Sequence, residues 1–381
     1  MKNHTKRVAN AVDTHPIPGF AISNGRRWRI DAPHRERAQI SLLVSSYNKP
    51  EHLRKCLASI ALQQGLESPP EVVITDDGSD EATLQVIDDF AAASGFPTVL
   101  TTHPHDGFQL ARCRNDGVRA SSAPYLLFLD GDCVLPADHV AWHLRFRSPG
   151  VAIAGDCIRF SQEVSERVTL DAIRSGDYQA WGSDDEHRRL LRRHRSTIIY
   201  RWIPHPRKPT LIGNNIGLWR ADYERVNGFD EEFRGWGCED DDFSRRLRNV
   251  GVKIRSILRQ TRTFHLWHPV DVTAPKSWKE GMNVAKLMQA RPAFCQRGLV
   301  DTRLDESTSA VVFTGRAEDA YDLRSREAAT LGAATVPIPA QEAAARTGPH
   351  FGSSMPHTAI AARGSGFRAD TIVRDLSRRA A

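Results

Sequence analysis

The chain predicts an α/β protein: a mostly parallel central sheet flanked by helices, with its working groups at the carboxyl ends of the strands. Three observations carry this. Short apolar runs alternate with segments of helical periodicity from residue 40 to residue 130, the pattern of βαβ units and a parallel sheet. The run Tyr125-Leu126-Leu127-Phe128-Leu129 stops at Asp130-Gly131-Asp132. Two carboxylates where a buried strand emerges stand where open α/β sheets bind ligands. Four consecutive acids, Glu239-Asp240-Asp241-Asp242, precede a further helical segment. They would repel one another inside a helix, but a helix N-terminus favours them.

Composition sets the outer limits. The 381 residues are enough for about two or three domains on length alone. With 40% apolar and 26% charged residues the chain reads as globular and soluble. Six cysteines (Cys56, Cys113, Cys133, Cys157, Cys238, Cys295) are scattered without C-x-x-C spacing. Neither a zinc ribbon nor a disulfide framework is expected, and a reducing cytoplasm is the default compartment. The basic N-terminus has no apolar core of a signal peptide, and no run approaches the roughly 18 apolar residues of a membrane span. The net charge of +6 permits nucleotide phosphates, anionic glycans or a membrane face as partners and specifies none of them.

The elements follow in order. Residues 1–37 are a polar leader with one short strand near Trp28. Ile40–Ser46 is the first sheet strand, and Pro50 suits the first turn of a helix over 51–64 with Leu53, Leu57, Ile60 and Ala61 on one face. Residues 72–75 form a strand ending in Asp76-Asp77-Gly78-Ser79-Asp80, and a helix follows over 81–94. One of these acids should turn the chain, with Ser79 or Asp80 as N-cap, and another should accept from a base N–H or ribose hydroxyl. A strand at 99–101, a helix over 110–120 and the 125–129 strand complete a nucleotide-binding-type half at 38–150. No G-x-G-x-x-G or G-x-x-x-x-G-K-[ST] occurs, so neither a dinucleotide fold of the familiar kind nor a P-loop is expected.

The second half is 151–275. A strand is expected at 151–155. Eight Arg or Lys residues (188, 189, 192, 193, 195, 201, 207, 208) stand against the single acid Glu186 in the following stretch, with Trp181, Tyr200 and Trp202 nearby. That composition suits sugar faces, phosphates or nucleic acid, and equally a solvated helix face. A Gly-interrupted strand over 210–219 suggests close backbone approach to a ligand. Phe243, Leu247 and Val250 define the helix behind the four acids, and His265 and His268 flank Trp267. A helix over 277–289 closes a C-terminal segment at 276–315. The tail, 316–381, reads as low-complexity with a short basic amphipathic helix at 370–381 as its alternative state.

Residues 40–269 resemble the inverting glycosyltransferases of family 2, with their single-domain GT-A fold. The second half resembles a region shared with beta-1,4-galactosyltransferases, polypeptide N-acetylgalactosaminyltransferases and bacterial chondroitin-type polymerases. The residues that carry this are Leu42-Leu43-Val44-Ser45-Ser46-Tyr47-Asn48, Ile74-Thr75-Asp76-Asp77-Gly78-Ser79, Ala111-Arg112-Cys113-Arg114-Asn115-Asp116-Gly117, Phe128-Leu129-Asp130-Gly131-Asp132 and Gly235-Trp236-Gly237-Cys238-Glu239-Asp240-Asp241-Asp242, then His265. Cys238 stands where many relatives carry Gly.

The resemblance implies roles. Tyr47 and Asp76 or Asp77 would line a uridine pocket, and Arg114 would help hold the donor. Asp130 and Asp132 would form the Asp-x-Asp motif, binding Mn²⁺ or Mg²⁺ with His265 as third ligand and His268 as its alternative. Asp240 would be the general base, with Glu239 and Trp236 at the donor or acceptor sugar. The expected reaction moves a hexose or N-acetylhexosamine from a UDP-sugar to a glycan or glycolipid hydroxyl, in polysaccharide or cell-surface glycan synthesis. The expected setting is cytoplasmic, without nucleic acid, and with peripheral association at the inner membrane face left open. Two readings compete: a metal-dependent nucleotidyltransferase, and a non-catalytic nucleotide- or carbohydrate-binding module.

Overall fold

The computed structural model describes residues 27–29, 38–203, 205–303, 308–314 and 358–364. The expectations for the rest of the leader, for most of the tail and for a helix at 370–381 lie outside these residues. The N-terminal half runs β1 (Arg27–Arg29), β2 (Ile40–Ser46), α1 (Pro50–Ala61), β3 (Glu71–Asp76), α2 (Glu81–Ser94), β4 (Thr98–Thr102), α3 (Leu110–Ala120) and β5 (Tyr125–Asp130). It continues with β6 (Cys133–Val134), α4 (His139–Phe146), β7 (Val151–Ala154), β8 (Cys157–Arg159), α5 (Gln162–Arg167), α6 (Leu170–Ser175), α7 (Asp184–Trp202), β9 (Asn215–Trp219) and α8 (Arg220–Glu224). Then come α9 (Glu239–Asn249), β10 (Lys253–Ser256), β11 (Thr263–His265) and α10 (Val284–Met288). A last antiparallel pair, β12 (Thr308–Thr314) and β13 (Thr358–Gly364), was not expected from the sequence.

The main sheet has the order β1-β4-β3-β2-β5-β9-β7-β10. The strands β4, β3, β2 and β5 are parallel, as the alternation predicts, and β9 runs antiparallel to both β5 and β7. The sheet is therefore mostly parallel and continuous through both halves. Helices α1 and α2 cover one face through Leu53, Leu57, Ile60, Leu84 and Ile87. The other face is covered by Val118, Tyr223, Phe229, Phe243 and Leu247. Strand β5 lies in the middle of the sheet, and Leu126 to Leu129 are buried, which is why its sequence is an unbroken apolar run. A second sheet, β6-β11-β8, crosses the end of β5. It places His265 opposite Cys133, one residue beyond Asp132.

Two expected elements differ. Only Asn215–Trp219 of the 210–219 run joins the sheet. Residues 210–214 are a loop because Leu211 and Gly213 donate their N–H groups to Ser244 Oγ and Asp240 Oδ2 rather than to a strand. The helix expected over 277–289 is broken into a 3-10 turn, Trp278–Glu280, and the short α10. Asn283 at the break donates to the carbonyls of Arg234 and Gly237, 2.9 Å away in each case. It thereby fixes the loop that carries Trp236.

Candidate active site

The candidate groups stand at the ends of β2, β3, β4 and β5 and at the start of α9. At the ends of β2 and β3, the two adjacent acids divide their work. Asp76 Oδ2 accepts from the backbone of Gly78 and Ser79 and from Thr102 Oγ1, so it shapes the turn. Asp80 caps α2 by accepting from Thr83 N at 3.0 Å. Asp77 faces His103, whose Nε2 donates to Oδ1 at 2.9 Å, and His105 lies 3.3 Å from its other oxygen. The Tyr47 ring stacks on His105 with centroids 4.2 Å apart. His103 also meets Asp116 through Nδ1 at 3.5 Å. Burial opposes charge on this imidazole, but the bonds to Asp116 and Asp77 outweigh it and push its pKa up to about 11.

At the end of β5 the two carboxylates of the Asp-x-Asp run part company. Asp132 is buried and meets three cationic or imidazole groups: Lys49 Nζ at 2.9 Å, His268 Nε2 at 3.1 Å and His265 Nε2 at 3.3 Å. Burial works against its charge, yet the His268 hydrogen bond and the charges of His265 and Lys49 hold its carboxyl well below the usual range. Burial lowers His265, whereas the bond to Asp132 raises His268. One ligand atom each from Asp132, His265 and His268 lies within 4.8 Å of the others. One carboxylate and two imidazoles is a donor set that suits a first-row divalent cation. Asp130 turns the other way, towards Arg114 at 3.5 Å, and its buried Oδ1 has no hydrogen-bond partner. Burial pushes its carboxyl up to about 6, with Arg114 opposing. His268, the alternative ligand of the sequence reading, thus stands with His265 at Asp132, and Asp130 stands outside that trio.

The third part is the start of α9. Arg114, on α3, is fully buried and reaches Asp240 at 2.9 Å and Glu239 at 3.3 Å. Its guanidinium lies over the Phe229 ring. Gly213 is required here, since a Cβ would come within 1.8 Å of Arg114 Nη2. The close backbone approach read from this glycine is to an arginine of the chain itself. Asp240 Oδ1 accepts from Arg114 and Oδ2 from Gly213 N at 2.7 Å. Burial first, and Asp240 second, push the Glu239 carboxyl up to about 8. Asp242 points into the core and pairs with the buried Arg246 at 2.6 Å. The four acids therefore serve different ends, and only Glu239 and Asp240 reach Arg114. Cys238 caps the helix at φ +75°, the left-handed region that glycine adopts without strain. Trp236, half-exposed, is held through its backbone by Thr273 Oγ1.

Lys49, His103, His105 and Asn283 were not singled out in the sequence. The His103-Pro104-His105 triplet directly after a strand was the one available signal. A cleft lined by His52, Lys55, Glu166, Trp267, His268 and Pro269 opens beside the Asp132 trio. Of the eight cations near α7, Arg189 and Arg193 turn inward to the buried Asp156, and the remainder face outward.

The chain is similar to known proteins over most of its described residues. Residues 41–202 match the model of glycosyl transferase family 2, and residues 193–269 match that of the N-terminal domain of galactosyltransferase. A validoxylamine A glucosyltransferase of Streptomyces hygroscopicus subsp. limoneus is 27% identical over 263 residues, 65% of this chain and 54% of that protein. Chondroitin synthase of Escherichia coli is 26% identical over 255 residues, 61% of this chain and 36% of that one. The chain thus spans about half or less of the length of these curated relatives. A mannosyltransferase of Pyrobaculum calidifontis, solved with GDP-Man and Mn²⁺, superposes with a TM-score of 0.43 at 18% identity over 58% of this chain and 55% of that one. No helix among the described residues is long and apolar enough to cross a membrane. The family motifs run from the first sheet strand to the late histidines, and over residues 41–269 this chain is similar to the glycosyl transferases of family 2 and to the N-terminal domain of galactosyltransferase.

Proposed function

We propose that the chain is an inverting, metal-dependent enzyme that moves a hexose or N-acetylhexosamine from a UDP-sugar to a hydroxyl of a glycan or glycolipid. Its setting is polysaccharide or cell-surface glycan synthesis on the cytoplasmic side. One observation carries this reading: Asp132 with His265 and His268 lies on one side of the end of β5, and Glu239 with Asp240 lies across Arg114 on the other. Asp132, His265 and His268 would hold Mn²⁺ or Mg²⁺, while Asp130 faces Arg114 through Oδ1. When bound, such a cation neutralises the leaving diphosphate as Lewis acid. Asp77 accepts a base N–H, and the Tyr47–His105 pair supplies a ring face for stacking. Asp240 takes the proton of the acceptor hydroxyl as general base, while Glu239 orients that hydroxyl and Trp236 covers the sugar. Attack and departure on opposite faces of the anomeric carbon give inversion without a covalent enzyme intermediate.

A second assignment has its own support. Both Asp240 oxygens are already bonded, whereas the Glu239 carboxyl sits at about 8, near a working pH. On that assignment Glu239 takes the proton and Asp240 holds Arg114. The test of the main reading is UDP release across a panel of UDP-sugars with Mn²⁺ and with chelator, followed by assignment of the product anomer. Metal-dependent release and an inverted product are expected. Release that survives chelation, or turnover confined to other nucleotide sugars, would overturn the cofactor or the donor.

A further inference from the structure

We propose that the outer face of α7 docks on an anionic lipid bilayer. The helix has two sides. Leu190 and Thr197 are buried, and Arg189 and Arg193 face Asp156. On the opposite side Leu191, Ile198 and Trp202 recur at i, i+7 and i+11, one stripe of a helix. They are 45%, 48% and 77% exposed, and Ile199 and Ile203 beside them are 50% and 57% exposed. A solvated helix face has no reason to present five large apolar side chains in so short a stretch.

The charges on this side are of one sign toward the C-terminal end. Arg188 is neutralised by Asp185 at 2.8 Å, so the first turns carry little net charge. Beyond them Arg192, Arg195 and Arg201 are exposed, and Arg207 and Lys208 follow. The Arg201 guanidinium lies over the Trp202 ring. Apolar and cationic groups are thus interleaved on one surface. A protein partner would want charge depleted from the centre of such a patch, and a soluble polyanion would have no use for the Ile and Trp side chains. An interfacial helix needs both: its apolar residues enter the acyl boundary while arginines meet the anionic headgroups.

The surface stands without the transferase reading. Combined with it, docking has a consequence for the site. Arg193 donates to Thr210 O at 3.1 Å, and Gly213 in the same loop donates to Asp240. Seating α7 on a bilayer therefore acts on the loop that holds Asp240 only through Arg193, on the side of the helix that faces away from lipid.

The test is co-sedimentation of the full chain with vesicles at physiological salt. One set mixes phosphatidylglycerol into phosphatidylcholine, and the other is phosphatidylcholine alone. Binding to the anionic set only is expected. Each exposed arginine is worth roughly fivefold in partition, so R192E/R195E should lower binding by on the order of 10-fold or more. The variant I198E/W202E should do the same while melting like the native chain, because both positions are exposed. If that variant fails to melt cooperatively, I198S/W202S decides instead. Absence of native binding to anionic vesicles overturns the proposal, and so does binding that ignores the apolar substitutions. Equal binding to dextran sulfate, lost only in R192E/R195E, would assign the face to a soluble polyanion. A concentration-dependent dimer abolished by the apolar variant would assign it to a second copy of this chain. Both results contradict a bilayer.

Discussion

Arg114 and Asp240 form a 2.9 Å ion pair that joins α3 to the first turn of α9. The same guanidinium stands 3.3 Å from Glu239 and 3.5 Å from Asp130. A fully buried arginine surrounded by three carboxylates keeps them from repelling one another apart. It also fixes the distance between the end of β5 and the acids of α9, the span that donor sugar and acceptor hydroxyl would share on the proposed function. Arg114 therefore acts as an internal tie.

Asp240→Asn keeps the size of the side chain and one of its two accepted hydrogen bonds, since the amide nitrogen cannot accept from Arg114 or Gly213 N, and it removes the acceptance of a proton. Transfer is expected to fall by about 10²–10⁴, with UDP affinity near wild type because the proposed uridine contacts, Tyr47 and Asp77, follow other strands. Glu239→Gln should cost less. Near-normal transfer by Asp240→Asn, beside an inactive Glu239→Gln, would exchange the two roles. The pH profile separates them further: if Glu239 is the base, turnover rises through an apparent pKa near the 8 of its carboxyl, and that limb disappears in Glu239→Gln.

Asp132→Ala should abolish metal-dependent UDP binding, measured by titration calorimetry with Mn²⁺. His265→Ala and His268→Ala should each weaken Mn²⁺ by at least the roughly 10-fold that even an outer partner is worth. His268 is held above its ordinary pKa by Asp132, so the cation has to displace a proton there. Mn²⁺ affinity should accordingly rise with pH through the neutral range. A pH-independent affinity would place the ion elsewhere.

His103 is locked between Asp77 and Asp116. His103→Gln leaves two carboxylates without their shared cation, and about 3 kcal/mol of stability should be lost. The folded pKa of about 11 is above the unfolded value near 6.5. The contribution is therefore complete below about pH 6.5 and declines as pH rises towards 11. Denaturant melts of the native chain and variant should converge between neutral and alkaline pH. UDP affinity should drop too, since Asp77 loses the group that orients it; loss of stability without loss of affinity would confine His103 to a structural role.

Asp242 and Arg246 are both buried and paired at 2.6 Å. Asp242→Ala strands the arginine, and a loss of about 3–5 kcal/mol is expected. Burial opposes the Asp242 charge, but Arg246 outweighs it and keeps the carboxyl below its ordinary value. Its stabilisation is present above the unfolded pKa of about 3.9 and is lost as pH falls through the lower folded value. Melts of the native chain and Asp242→Asn should differ at neutral pH and converge in acid, and coincidence at neutral pH would contradict the pair.

The alternation of strands and helices, the burial of β5 and the emergence of Asp130 and Asp132 at its end were legible in the sequence. Each is set by local apolar periodicity and by the cost of keeping carboxylates inside a sheet. The turn role of one acid in Asp76-Asp77 and a helix start at the four acids were legible for the same reason, because helix caps and turns are local. Which acid does which job was not. Asp240 and Asp242 are neighbours of equal chemistry, and one meets Arg114 while the other enters the core only because α9 packs its Phe243 and Leu247 face against the sheet. The joining of His265 and His268 at Asp132 required the antiparallel ladder of β6 and β11, a pairing between segments far apart in the chain. The inward turn of Arg189 and Arg193, which leaves the other arginines of α7 among exposed Ile and Trp, was fixed by the buried Asp156. A charge run gives the composition of a helix, and only its packing neighbours decide which side of that helix meets water.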